Sequence, residues 1–244
     1  MRRIGLALLA GVITAGCGDD GVETLPSVSV PAAERGPIAL KEKLMFARVI
    51  DDDPLLEDLA EIARTDDLAK AAGIEVSSDG WAHEVVRDEF AYPYLRAKDR
   101  AALASYLGAA VARHAQLAPA EGHAFAYERV QEQPGQAPRW RMYLVDHATA
   151  LRPKAVTSLE TGEGTTGVAE LRATLAEEDA QRFHELTEKA VGHKVAIAIG
   201  EVVVSAPIVR EPISGGSVVL VPGVSTRDAA RAEVERWAQQ LRGG

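Results

Sequence analysis

Apolar positions along the chain alternate between two periods, close to two and close to 3.6, and the switches mark the elements. Leu44-Met45-Phe46-Ala47-Arg48-Val49-Ile50 is short, apolar and partly β-branched, which predicts a strand. Asp51-Asp52-Asp53-Pro54 follows and predicts a helix start, with Asp53 as cap and Pro54 in the first turn. Leu55, Leu56, Leu59, Ile62 and Ala63 then share one helical face, and the helix is expected to end near Gly73. A short strand through Ile74 to Val76, a turn over Ser77 to Gly80, and a strand region from Val85 to Leu95 come next, with Pro93 marking an edge or bulge. A second helix is expected from about Asp99 to His114, with Leu103, Leu107, Ala110 and Val111 on its stripe, before strands over His123 to Val130 and Trp140 to Val145. This order, β-α-β-β-α-β, is that of a ferredoxin-like split sandwich.

The second half repeats the alternation. Leu171, Ala173 and Leu175 point one way and Arg172 and Thr174 the other, predicting a strand from Glu170 to Leu175. A helix over Glu177 to Val191 places Ala180, Phe183, Leu186 and Ala190 inward. Strands over Lys194 to Ile199 and Val202 to Ser205 flank Gly200-Glu201, a two-residue hairpin turn of type II′. Gly215-Gly216 predicts a turn before the strand Val218 to Val221. A final helix is expected from a cap at Ser225, with Ala230, Val234, Trp237 and Leu241 buried. The fold class expected is α+β, built as two-layer α/β sandwiches.

The N-terminus changes the picture. Arg2 and Arg3 precede an apolar run from Ile4 to Gly16 and then Cys17, the only cysteine of 244 residues. A basic start, a short apolar stretch and small residues before a cut are the parts of a secretory signal. The run is short of the roughly 20 residues a spanning helix needs. Thr14-Ala15-Gly16-Cys17 resembles the lipobox of bacterial lipoproteins, which implies an acylated Cys17 held in the lipid bilayer. Residues 1–16 are then a signal peptide and 17–42 a lipid-anchored flexible tether, rich in Gly, Ser, Thr and Pro. The location expected is the bacterial cell envelope, facing the periplasm, in either membrane. Net charge is −9, and an acidic surface repels phosphate backbones, so nucleic acid is excluded as a partner.

The residues from Ala180 to Ile197 resemble the SecD pattern A-x-x-F-x-x-L-T-x-x-N-V-G-x-x-x-A-I, with Ala190 where SecD has Asn. Gly200 to Pro207 resembles its D-G-x-V-x-S-A-P, and Arg210 to Ser217 its I-x-G-G-S. SecD is the accessory subunit of the bacterial Sec export machinery, and these motifs belong to the head of its periplasmic domain. Residues from Ile50 through Tyr143 resemble the base of that domain. The resemblance implies a base-like α+β domain over 43–148 and a SecD-head-like domain over 149–244. The lipoprotein signal stands where SecD carries its first membrane helix, and the block of membrane helices that follows the SecD periplasmic domain is not expected.

Candidate chemistry is sparse. Gly162-x-Gly164-x-x-Gly167 matches a dinucleotide fingerprint but precedes a strand, so a flexible loop is expected. His184-Glu185-x-x-Glu188 lacks the second His of a zinc helix, and the Asp51–Asp53 run lacks the spacing of a calcium loop. Arg139-Trp140-Arg141 reads as an outer strand face. No catalytic residue, metal site or cofactor is expected. The function expected is a non-catalytic, membrane-tethered interaction module, accessory to protein export. It would contact exported polypeptides, the Sec machinery or another envelope protein. Its contact loop would be Ile208, Val209, Arg210, Glu211, Pro212 and Ile213. The alternative is a structural envelope lipoprotein that reuses the fold without a role in export.

Overall fold

Asp53 starts the first helix as the sequence predicts: its Oδ1 accepts the Leu55 N–H at 2.9 Å, and Pro54 occupies the first position. In the computed structural model, which describes residues 37–80, 91–131, 136–224 and 226–243, five helices are present. They are α1 (Pro54–Thr65), α2 (Asp67–Ala71), α3 (Arg100–Arg113), α4 (Glu177–Lys189) and α5 (Arg227–Arg242). The strands are β1 (Ile38–Ala39), β2 (Leu44–Arg48), β3 (Glu75–Gly80), β4 (Ala91–Ala97), β5 (His123–Val130) and β6 (Arg139–Asp146), then β7 (Ala155–Glu163), β8 (Ala169–Leu175), β9 (Val195–Ile199), β10 (Val202–Ser205) and β11 (Ser217–Leu220). Cys17, the signal segment and most of the predicted tether lie outside the described residues, as does the predicted strand segment Val85 to Phe90.

Two sheets form, in the orders β1-β7-β8-β11 and β2-β9-β10-β5-β6-β4-β3. The larger one curls. β2 lies antiparallel to β9 over its whole length, with Phe46 opposite Ile197. Just past its end β2 meets β6: Val49 bridges Val145, and the Ile50 N–H donates to the Leu144 carbonyl at 2.8 Å. The path β2-β9-β10-β5-β6 therefore closes into a small barrel. Its interior holds Ala47, Val49, Tyr143, Val145, Ala196, Ala198 and Val203, mostly small side chains, as a narrow barrel requires.

The barrel wall has two outer coats. Leu44, Phe46, Val195, Ile197 and Ile199 face outward into the largest core, with Phe183 of α4, Trp237 of α5, and Leu171 and Leu175 of the four-stranded sheet. Phe46 and Phe183 stack tilted, with ring centroids 4.9 Å apart. α5 touches β7, β8 and β9, so it lies between the two sheets. On the other side, Leu55 and Leu59 of α1 and Leu103 and Leu107 of α3 pack on Leu95, Met142 and Leu144. The fold is α+β. Every residue of β9 is buried, since both faces of that strand are covered.

Several local expectations are corrected. β2 leaves the split sandwich to pair with β9, and β6 takes the place beside β4, giving the order β5-β6-β4-β3. Strand pairing thus crosses residue 149 three times, at β1–β7, β2–β9 and β5–β10. The end of the predicted tether is a strand: Ile38 and Ala39 pair with Val156 and Ala155. Ser77 to Gly80 continue β3 rather than turning. The Gly162 region is not a flexible loop. Gly162 lies in β7, and Gly164 to Gly167 close a tight β7–β8 hairpin with Gly164 N–H to Val168 O at 2.9 Å. Thr226, not Ser225, caps α5 through the Ala229 N–H. The β4–β6 ladder covers only Arg96 and Ala97 and stops before Pro93, which has no N–H to extend it.

The helix predicted to run to Gly73 breaks at Asp66. That residue adopts extended backbone, and its Oδ1 accepts the Leu68 N–H at 3.0 Å to start α2. Arg113 of α3 reaches Asp66 Oδ2 at 2.5 Å. The Arg113 hydrogen bond, aided by that of Leu68 and by the guanidinium charge, lowers the Asp66 pKa to about 2. A depressed folded pKa means that this contribution is present above the unfolded value, near 3.8, and is lost as pH falls through about 2. Urea unfolding from pH 5 to pH 2 is expected to show this decline, and Arg113→Gln is expected to flatten that part of it.

The barrel interior gives a second test. Ala196→Leu adds bulk inside a closed wall of 0% exposed alanine, and is expected to destabilise by about 1–3 kcal/mol. Leu68→Ala, at a position 50% exposed, is expected to change stability by less than about 0.5 kcal/mol in the same urea titration.

Candidate functional site: a loop clamped to the end of a helix

β10 ends at Ser205, two residues before Pro207. The chain then runs alongside the corner between α4 and β9. Val195 N–H donates to Pro207 O at 2.9 Å, Ile208 bridges Lys194, and Val209 bridges Val191. Val209 N–H donates to His193 O at 2.9 Å and Val209 O accepts the Gly192 N–H at 2.8 Å. Val209 is buried, 5% exposed. The far end is pinned by Thr187, whose side chain is fully enclosed. Its Oγ1 donates to His184 O and accepts the Ile213 N–H, both at 2.9 Å. His184 Nδ1 lies 3.3 Å from the Ile213 carbonyl oxygen. The predicted loop thus divides. Val209 is buried and Ile208 and Ile213 are half-buried, and these three seat it. Arg210, Glu211 and Pro212 form its exposed tip.

The turn that follows is built for close approach. Gly215 and Gly216 both have positive φ, 82° and 66°. A Cβ on Gly216 would come within 2.5 Å of the Ala180 Cβ, so the turn lies directly on α4.

The same corner carries a polar cluster that sequence reading missed. Asp51, predicted only as part of a helix cap, lies 2.9 Å from His193 Nδ1. Arg48 Nη2 lies 3.3 Å from His193 Nε2. Asp51, Asp52 and His193 have ligand-type atoms within 4.8 Å of one another. The donor inventory decides what this cluster is. Arginine can only donate, so Nε2 accepts, and Nδ1 carries the proton that goes to Asp51. Neither ring nitrogen then offers a lone pair to a metal ion. Nothing in the sequence pointed to this contact, because its partners are 142 and 145 positions apart.

The predicted basic patch Arg139-Trp140-Arg141 is divided between two faces. Arg139 pairs with Glu75 at 2.5 Å and Arg141 with Glu128 at 2.6 Å, whereas Trp140 packs in the core beneath α1 and α3. Glu128 is buried and also accepts from the Tyr143 hydroxyl at 2.7 Å. The Arg141 guanidinium stands 4.9 Å from the Tyr143 ring and 5.8 Å from that of Tyr94. Arg141 is thus engaged by Glu128 and by both rings.

Residues 126–244, which contain the whole loop, its clamp and the Gly-Gly turn, match the family model described as the SecDF P1 head subdomain. This segment, just under half of the chain, is similar to that family. The matched segment begins within β5, so it takes in most of the β5–β6 hairpin of the barrel and β7, β8 and β11 of the four-stranded sheet. The chain is also similar to solved SecDF structures. One is described as a membrane component that enhances protein export. It is 18% identical, with a TM-score of 0.33, over 81% of this chain and 93% of that one. SecDF in a super-membrane-facing form is 16% identical, with a TM-score of 0.32, over 88% of this chain and 30% of that one. SecDF from Thermus, a translocon-associated membrane protein, is 17% identical, with a TM-score of 0.29, over 84% and 30%. The chain therefore spans less than a third of the latter two proteins. The likeness to the SecDF P1 head rests on the sequence match alone. No curated protein matches the chain significantly.

The Thr187 clamp can be tested. Thr187→Val keeps the shape, removes the hydroxyl and leaves the Ile213 N–H without its acceptor. It is expected to destabilise by about 1–3 kcal/mol and to speed amide exchange at Ile213. Glu211→Ala at the exposed tip is expected to change stability by less than about 0.5 kcal/mol.

Proposed function

We propose that this chain is a non-catalytic interaction module facing the periplasm, accessory to protein export. It is held at a membrane through acylated Cys17 and contacts exported polypeptides or the Sec machinery. The match of residues 126–244 to the SecDF P1 head carries this reading. The SecDF proteins it resembles are described as enhancing protein export and as translocon-associated, and the partner class proposed here is theirs. Among the described residues no helix is long and apolar enough to cross a membrane.

The contact surface proposed is the tip Arg210-Glu211-Pro212. Its backbone is fixed at both ends while these three side chains stand in solvent, which supports binding with little ordering cost on this side. A photoreactive side chain placed at each of the three positions in living cells is expected to capture exported chains or Sec components, and one at Leu68 is not. Absence of any protein adduct at all three would remove the contact assignment. Cys17→Ser is expected to abolish the acyl mass and release the chain from the membrane fraction. Retention of both would contradict the anchor.

A further inference from the structure

His193 ties together three parts of the molecule. Its backbone holds Val209 of the loop, its Nδ1 faces Asp51 before α1, and its Nε2 faces Arg48 at the end of β2. Its side chain is 28% exposed, so protons reach it from solvent, and that of Asp51 is 12% exposed.

Arg48 is the vulnerable member. Its Nε is buried with no hydrogen-bond partner, and among the described residues its one acceptor is His193 Nε2. The contact exists only while the imidazole is neutral. Protonation places a second N–H on Nε2, so two donors and two positive charges would face each other across 3.3 Å. The charged groups around the ring are Arg48 from β2, Asp51 and Asp52 before α1, and Lys194 on the adjoining residue, which stands 5.9 Å from the Tyr143 ring. From β4, Tyr92 faces the same carboxylates, and burial together with Asp51 and Asp52 pushes its pKa up. The loop contributes only backbone groups of Val209 at this point. The two carboxylates accept the added charge on the ring, and Arg48 loses its acceptor.

We propose that His193 is a proton-operated latch that sets how firmly the loop from Pro207 to Ile213 is seated. Neutral His193 holds Arg48 and keeps the Gly192–Val209 and Val209–His193 backbone pairs closed. Protonated His193 turns toward Asp51 and Asp52, gives up Arg48 and loosens those pairs. The latch governs the loop proposed above as the contact surface, but its own test does not depend on that role.

Ring-nitrogen and amide NMR on the full chain, ¹⁵N-labelled, reads it directly. At pH 8 the His193 ring is expected to be the Nδ1–H tautomer. On titration to pH 5, the Gly192 and Val209 amide shifts are expected to move with the same midpoint as the ring. In His193→Gln the side-chain carbonyl accepts from Arg48 and the amide donates to Asp51 at every pH, so those amide shifts are expected to stay fixed. An Nε2–H tautomer at pH 8, a ring that titrates while Val209 stays still, or an unchanged pH response in His193→Gln would each overturn the latch. Loss of crosslinks at the loop tip with these titrations intact would instead overturn the contact role.

Discussion

The rest of the structure depends on the placement of one strand. β2 lies against β9, more than 140 positions later, and its extension hydrogen-bonds to β6. This single segment closes the barrel, and each of its faces serves a different core. Phe46 and Leu44 enter the core shared with α4 and α5, while Ala47 and Val49 fill the barrel interior. Burying side chains such as Phe46 and Leu44 contributes about 1.5–3 kcal/mol each, far more than the exposed ion pairs at the surface. β2 is therefore part of the platform on which the segment from residue 126 onward stands.

That placement also explains the site. The loop from Pro207 to Ile213 is held by the corner between α4 and β9, and β9 is held by β2. Val49 N–H donates to Lys194 O at 2.8 Å, so β2 touches the same corner that grips Val209. The chain from Arg48 to Asp51 thus carries both the backbone contact and the side chains that meet His193. An exposed tip on a rigid seat is suited to recognition. The ring of His193 lies inside that seat, where the latch is proposed.

Elements were legible wherever one face of a helix or strand is buried and the other solvated. α5 shows this, with Ala230, Val234, Trp237 and Leu241 all buried as its period requires. β7 was hidden because a bulge between Val156 and Ser158 shifts its register, so the buried Val156 and Leu159 fall three apart and the period of two is lost. The break at Asp66 was hidden because it depends on Arg113, a tertiary partner. Strand order was not legible at all: Val195 to Ile199 is apolar throughout, so no alternation records which neighbours it takes. The loop from Ile208 to Ile213 was marked by its motif, but its division into a buried seat and an exposed tip was not legible. The Asp51–His193–Arg48 cluster has no local signal, since each member alone reads as a cap, a loop residue or a strand-end cation.

A barrel built from strands of both halves should make them unfold as one cooperative unit. Trp140 reports on the core under α1 and α3, and Trp237 on the core between the sheets. Guanidinium unfolding of two single-tryptophan variants, one keeping each residue, tests the claim most directly. Coincident transitions with equal slopes are predicted; two separated transitions, with one half unfolding while the other stays native, would contradict it.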